Sequence, residues 1–133
     1  MNYYIEVLKK YAVFNGRATR SEYWFFMLFN NLIIFLFPTL VLMFAMVFIS
    51  SAEIFEGLSV GVFIIISIYW FATIIPTIAV TVRRLHDIGK SGAWFFISFI
   101  PFGIGFVWLL ILMVTDSQSG ENEYGANPKK MSA

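Results

Sequence analysis

Three long stretches of the chain contain no Asp, Glu, Lys, Arg or His side chain: residues 23–52, 57–82 and 91–115. A hydrocarbon core of about 30 Å is crossed by a helix of about 20 residues, because each residue adds about 1.5 Å. Each stretch exceeds that length, and a charged residue at the centre of a span would cost about 2.5–3.5 kcal/mol. The pattern therefore predicts three transmembrane helices.

The apolar side chains of these stretches do not keep to one helical face. Residues 32–49 read LIIFLFPTLVLMFAMVFI, with apolar groups in every direction, which is typical of a helix surrounded by lipid or by other helices. Composition agrees, since 59% of the residues are hydrophobic and 13% are charged, with a mean hydropathy of +0.80, whereas soluble domains have about a quarter of their residues charged. Three buried helices of a soluble protein are therefore the less favoured interpretation.

The predicted fold class is an all-α membrane protein with a single membrane domain. We place the transmembrane helices at residues 22–51, 58–82 and 92–115. A short amphipathic interfacial helix at residues 1–15 precedes them, and a polar tail at residues 116–133 follows. The first 15 residues also fit an ordinary helix packed on the bundle, because an amphipathic helix suits either place.

Two proline-containing segments interrupt the predicted helices. Pro38 lacks an N–H group and predicts a kink in the first helix, while a split there would leave halves too short to span. Residues 101–105, Pro-Phe-Gly-Ile-Gly, lie in the middle of the third stretch. They leave two readings: a helix that crosses completely, which we favour, and a re-entrant turn that returns the tail to the side of entry.

The basic residues predict the orientation. Four precede the first helix, none lies in the first loop, and three lie in the second loop: Lys9, Lys10, Arg17 and Arg20, then Arg83, Arg84 and Lys90. The positive-inside rule places the N-terminus and the second loop in the cytoplasm. Three spans then place the C-terminal tail outside, in the periplasm or the extracellular space.

Catalytic chemistry has little support in the sequence. The chain has no cysteine and one histidine, so thiol chemistry and a histidine cluster are excluded. His86 beside Asp87 is typical of a structural hydrogen bonder more often than of a general base. We expect no enzyme activity, no cofactor and no metal site.

The polar side chains around the predicted loops have two interpretations. As a cytoplasmic basic surface, five of them would bind anionic phospholipid or a protein partner: Arg17, Arg20, Arg83, Arg84 and Lys90. As structural groups, others would cap a helix or form ion pairs with these bases: Thr19, Glu22, His86 and Asp87. Thr19 and Glu22 have the spacing of a capping box at the entry of the first helix. Nucleic acid is not an expected partner, because the net charge is only +1.

Three motifs carry a family resemblance. They are Phe-Asn-Gly-Arg-Ala-Thr-Arg-Ser-Glu-Tyr-Trp at residues 14–24, Arg-Arg-Leu-His-Asp-Ile-Gly-Lys-Ser-Gly at residues 83–92, and Gly-Glu-Asn-Glu-Tyr-Gly at residues 120–125. In this order they resemble the small bacterial inner-membrane proteins of domain of unknown function 805. The family usually continues with Gly-Pro-Asp-Pro, where this chain has Gly-Ala-Asn-Pro at residues 125–128. The resemblance implies a bacterial inner membrane and brings no activity or substrate.

The predicted function is therefore a structural or regulatory membrane protein whose cytoplasmic motifs bind membrane lipid or a membrane-protein partner. A small oligomeric transporter or channel subunit is the alternative. A pore normally needs polar or ionisable groups inside the bundle, and the second and third spans offer only hydroxyl side chains. Three spans make a thin bundle, so a homo-oligomer is a further possible partner.

Overall fold

The computed structural model describes residues 3–131, with side chains described to residue 129. The first two residues of the predicted helix at 1–15 and the end of the predicted tail lie outside the described residues. The chain divides into two compact units, one formed by residues 1–26 and 75–133 and the other by residues 27–74. We call them the motif unit and the hairpin unit.

All regular elements within residues 3–131 are helices. They are α1 Tyr3–Lys9, α2 Arg20–Asn31, a π-helical segment Leu32–Leu36, α3 Phe37–Phe48, α4 Ala52–Asp87, a 3-10 helix Gly92–Phe99, α5 Ile104–Val114 and α6 Pro128–Met131. An isolated antiparallel bridge joins Asn122 and Gly125 in the tail. The predicted all-helical class is confirmed for this part of the chain.

Two helices of the described chain are long and apolar enough to cross a membrane. One is the continuous run Arg20–Phe48, of 29 residues, and the other is α4, of 36 residues. Only 6% of the most apolar stretch of each is buried, whereas the core helix of a soluble protein would be mostly buried. Both helices therefore fit a lipid environment, and the predicted third span is not among them.

Pro38 changes the helical pitch without ending the helix. The π-helical segment Leu32–Leu36 ends two residues before it, and the missing N–H of a proline leaves a carbonyl of the preceding turn without its usual donor. One turn of wider helix shifts the hydrogen bonds, and the Thr39 hydroxyl donates to the Phe35 carbonyl at 2.6 Å. The first long helix therefore stays continuous.

In the hairpin unit, the chain turns at residues 49–51 and comes back alongside itself. The Tyr69 hydroxyl donates to Asn30 Oδ1 at 2.9 Å, and these residues lie at corresponding distances from the turn. Asn30 is buried, so the bond satisfies an amide in an otherwise apolar region. Polar pairs of this kind hold membrane helices together.

The third apolar stretch is not one continuous helix, unlike our favoured prediction for residues 92–115. The 3-10 helix ends at Phe99, and Phe102 and Gly103 have positive φ angles of 64° and 76°, which reverse the chain direction before α5. A Cβ atom on Gly105 would lie 1.8 Å from the carbonyl oxygen of Ile97, so the two short helices pack backbone to backbone. The proline and the glycines of the 101–105 segment lie at this break.

In the motif unit, α1 packs on the beginning of α2. The Tyr3 and Phe25 rings stack with centroids 5.5 Å apart, the Tyr4 and Phe26 rings stack at 5.4 Å, and Val7 is fully buried. The helix ends at Lys9, before the predicted limit of residue 15. These contacts show that α1 packs against α2, and its position relative to the membrane stays a prediction.

Candidate functional site: a buried arginine cluster and an adjoining cleft

Arg17 lies at the centre of the motif unit and joins the first motif to α4 and the tail. Its side chain is 1% exposed, and its Nε donates to Asp87 Oδ1 at 2.9 Å. The two terminal nitrogens donate to backbone carbonyls of Gly120 at 2.8 Å, Gln118 at 2.7 Å, Gly125 at 3.2 Å and Asp87 at 3.3 Å. The planar fork of arginine suits such a ring of acceptors. No donor of this guanidinium faces outward for a headgroup.

Arg84 occupies the other side of Asp87. Its Nη1 donates to Asp87 Oδ2, its Nε to the Met113 carbonyl at 3.2 Å, and its Nη2 to the Thr115 carbonyl. The last carbonyls of a helix have no partner within the helix and carry partial negative charge. Arg84 therefore caps the end of α5. The Ser117 hydroxyl completes the shell of the carboxylate by donating to Asp87 Oδ2.

Arg83 forms a second, separate ion pair. Its Nη1 lies 2.7 Å from Glu22 Oε1, and both side chains are under one-tenth exposed. Lys10, at the surface, lies 3.7 Å from the same oxygen. The Thr19 side chain caps α2 as predicted, since the N–H of Glu22 donates to Thr19 Oγ1 at 3.1 Å. Two further donors of Arg83, Nε and Nη2, are buried and have no acceptor in the described chain.

His86 packs the tail against α4. Its Nδ1 donates to the Gly16 carbonyl at 3.2 Å, because a carbonyl can only accept. The ring stacks on Tyr124 with centroids 3.8 Å apart and planes parallel within 1°. The side chain of Asn122 donates to the His86 carbonyl at 2.9 Å. These contacts give His86 a packing role.

Two of the five predicted basic residues remain at the surface. Arg20 is 44% exposed and lies 3.3 Å from Asp116, and Lys90 sits over the Trp94 ring at 4.9 Å. A hydrogen bond from Lys129 is the main reason that the pKa of Asp116 is lower than its ordinary value of 3.8. The other three predicted lipid-binding residues are buried, so only Arg20 and Lys90 of that set can reach a headgroup without rearrangement.

A cleft of about 370 Å³ opens beside the cluster, between α1, the start of α2 and the tail. Its walls carry two carboxylates, one ammonium group, the Arg17 guanidinium that pairs with Asp87, and aromatic or hydroxyl side chains. The other side chains of this set are Glu6, Glu22, Lys10, Tyr3, Tyr124 and Thr19. This volume is within the range of small-molecule sites, about 300–1,000 Å³. Among the described residues, no three His, Cys, Asp or Glu side chains are grouped to hold a metal ion.

The sequence did not predict several of the hydrogen-bond and ion-pair partners of the buried arginines. The predicted ion pairs of Glu22 and Asp87 with the motif arginines are present, but the sequence did not show their division, in which Glu22 pairs with Arg83 and Asp87 pairs with Arg17 and Arg84. Most other acceptors are backbone carbonyls of the tail and of α5, which have no residue signature. The only available signal was the third motif, at residues 120–125, whose two glycines have positive φ angles.

The helices and the buried polar cluster define a helical membrane protein with a polar end that ties its motifs together. The chain belongs to the family described as protein of unknown function DUF805, whose model matches residues 11–126. The resemblance predicted from the three motifs is thereby confirmed.

The relatives are consistent with this class. The chain is 38% identical to the inner membrane protein YhaI of Escherichia coli strain K12 and 39% identical to the inner membrane protein YhaH of the same strain. Each alignment covers 129 residues and 97% of this chain, with 97% of YhaI and 98% of YhaH. The uncharacterized protein YiiR of that strain is 27% identical over 84% of this chain and 83% of its own length. No solved structure matches the chain.

Proposed function

We propose that the chain crosses the inner membrane twice, with its N-terminal segment and its tail both in the cytoplasm. The third apolar stretch then enters the membrane and returns. Support comes from the tail: the Gln118 N–H donates to the Asp87 carbonyl at 2.9 Å, and the Gly120 carbonyl accepts from Arg17. The tail therefore lies beside the second loop, whose basic residues favour the cytoplasm.

The lengths of the two short helices fit this topology. The 3-10 helix has 8 residues and α5 has 11, so at about 2.0 and 1.5 Å per residue each is roughly 16 Å long, about half of a 30 Å core. Phe102, at the turn between them, is 95% exposed. An apolar side chain at that tip suits hydrocarbon, and each helix covers the backbone of the other.

A reporter that is active only outside the cytoplasm tests the topology. Fused after the C-terminus or within the second loop at Gly89, it should be inactive. Fused in the first loop, between residues 49 and 51, it should be active, which shows that the reporter can be exported. Activity at the C-terminus would reject the re-entrant model and restore the three-span reading.

The proposed role is that of a non-catalytic membrane protein that holds phospholipid headgroups at its cytoplasmic face. The observation that carries this proposal is the contrast between the cluster and the cleft. Arg17 and Arg84 are buried and both pair with the buried Asp87, and Arg17 also donates to carbonyls of the tail, so these motif residues stabilise the protein internally. The cleft beside them remains open and half polar, next to the first residues of a predicted span.

Purification in mild detergent tests this role. Native mass spectrometry should detect phospholipid retained by the protein in a defined ratio that survives exchange into lipid-free detergent. The matched control is the same chain after complete delipidation in a harsher detergent, which should rebind added lipid. A protein free of lipid after mild extraction, or one that retains a protein partner in place of lipid, would contradict the proposal.

A further inference from the structure

We infer that the cleft holds the headgroup of an aminophospholipid, a zwitterion with an ammonium group and a phosphate a few ångströms apart. The inference rests on the proposed function and names the class of lipid. It depends on the arrangement of acidic and basic groups in the walls, on their accessibility, and on what adjoins the cleft.

The acidic wall suits an ammonium group. Glu22 lies in the cleft wall, and its contacts within the described part of the chain use Oε1, which lies 2.7 Å from Arg83 and 3.7 Å from Lys10. Its other oxygen retains its accepting capacity. Arg83 lies outside the cleft lining and positions this carboxylate through their ion pair. Glu6 of α1 supplies a second carboxylate to the cleft wall. Two carboxylates can accept from the three N–H bonds of a primary ammonium.

The basic wall suits a phosphate. Lys10 is 47% exposed, so its ammonium group can approach a phosphodiester without being dehydrated completely. A headgroup that carries only negative charge would satisfy Lys10 but would bring its charge towards Glu6 and Glu22. The wall therefore discriminates between headgroups by repulsion as well as by attraction.

The surroundings of the cleft indicate a lipid as the source of this headgroup. Tyr3, in the cleft wall, stacks on Phe25 of α2 at 5.5 Å, and Phe25 is 46% exposed. An exposed apolar surface thus adjoins the polar cleft at the start of a predicted span. Acyl chains can lie along α2 while the headgroup occupies the cleft, whose volume of about 370 Å³ fits a headgroup and not a whole lipid.

The test uses the full chain, delipidated and then titrated with phosphatidylethanolamine or phosphatidylglycerol of identical acyl chains, with binding read by native mass spectrometry. Since a hydrogen bond to a charged group is worth about 1.5–3 kcal/mol, we expect phosphatidylethanolamine to bind about tenfold or more tightly. Equal binding of the two lipids would overturn the inference. Free phosphoethanolamine binding as tightly as the lipid would also overturn it, because the acyl chains would then contribute nothing.

Two variants with matched controls connect this selectivity to the cleft. Glu6→Gln should remove most of the preference for phosphatidylethanolamine, because the ammonium group loses a carboxylate partner. Lys10→Gln should weaken the binding of both lipids and keep the preference, because both carry the phosphate. Lys9→Gln and Glu121→Gln change exposed charges outside the cleft and should leave the preference unchanged. All four should unfold at the same temperature as the parent chain.

The outcomes separate this inference from the proposed function. If the protein retains no phospholipid at all, the proposed function fails and the inference fails with it. If it retains phospholipid but Glu6→Gln keeps the full preference, only the inference fails. Loss of the preference in the control variants as well would assign it to general surface charge and would also reject the cleft.

Discussion

Replacing Asp87 by alanine should be the most damaging single change in the motif unit. The carboxylate is completely buried and accepts from Arg17, Arg84 and Ser117. Alanine would leave two buried guanidinium groups without a counter-charge, although their bonds to backbone carbonyls would remain. Removing one partner of a buried ion pair costs about 3–5 kcal/mol.

Asp87→Asn removes the charge and keeps the side-chain volume, so comparison with Asp87→Ala separates the two contributions to stability. The amide keeps nearly the same volume and one acceptor oxygen, but its NH2 group would face the donors that the other oxygen accepts from, so Asn should lose at least one hydrogen bond to a charged group, worth about 1.5–3 kcal/mol. The expected order of stability is therefore parent, Asn, Ala. Asp116→Ala is the matched control, because this carboxylate is exposed and pairs only at the surface, and its removal should be close to neutral.

The free energy of unfolding can be measured by titrating the purified protein in mixed micelles with a denaturing detergent and following helix content or tyrosine and tryptophan fluorescence. Limited proteolysis gives an independent reading, because loss of the Asp87 contacts should release the tail and expose the bonds after Thr115. An Asp87→Ala protein within about 1 kcal/mol of the parent would refute the reasoning, since so small a cost is typical of an exposed pair.

Two further changes test the packing and the division of the ion pairs. Gly105→Ala should destabilise the turn formed by the third apolar stretch, because the new Cβ would meet the Ile97 carbonyl at 1.8 Å. Gly61→Ala has open space and should be tolerated, and equal unfolding temperatures for the two variants would contradict the packing. Glu22→Ala and Asp87→Ala should be additive within about 0.5 kcal/mol, because they pair with different arginines, and a double variant that costs much less than the sum would indicate a shared network.

The class of the protein could be predicted from sequence because it depends on a property that adds along the chain. An uncharged stretch of sufficient length is costly to leave in water, whatever its detailed structure. The same argument cannot distinguish a helix that crosses from two helices that enter and return. Whether the stretch forms one helix or two depends on the backbone angles at Phe102 and Gly103 and on whether Gly105 permits close contact.

The tail illustrates a second limit of prediction from the sequence. Its role depends on backbone carbonyls at residues 118, 120 and 125, which accept from a single guanidinium group. A carbonyl belongs to every residue type, so its use as a ligand for an arginine leaves only indirect marks, such as the glycines that turn the chain. Pairing carboxylates with bases by charge could therefore identify Glu22 and Asp87 but not the acceptors that outnumber them.

The basic residues of the second loop show how one sequence signal can have several physical causes. A cluster of arginines favours a cytoplasmic location, attracts anionic lipid, and neutralises carbonyls at helix ends. Burial distinguishes these causes, since Arg17 and Arg84 have no exposed surface to offer a headgroup. Arginine suits this position better than lysine because its five N–H donors lie in one plane and reach several acceptors at once, whereas a lysine ammonium concentrates three donors on one atom. The motif arginines therefore hold the folded motif unit together, and of the five predicted basic residues Arg20 and Lys90 remain at the surface.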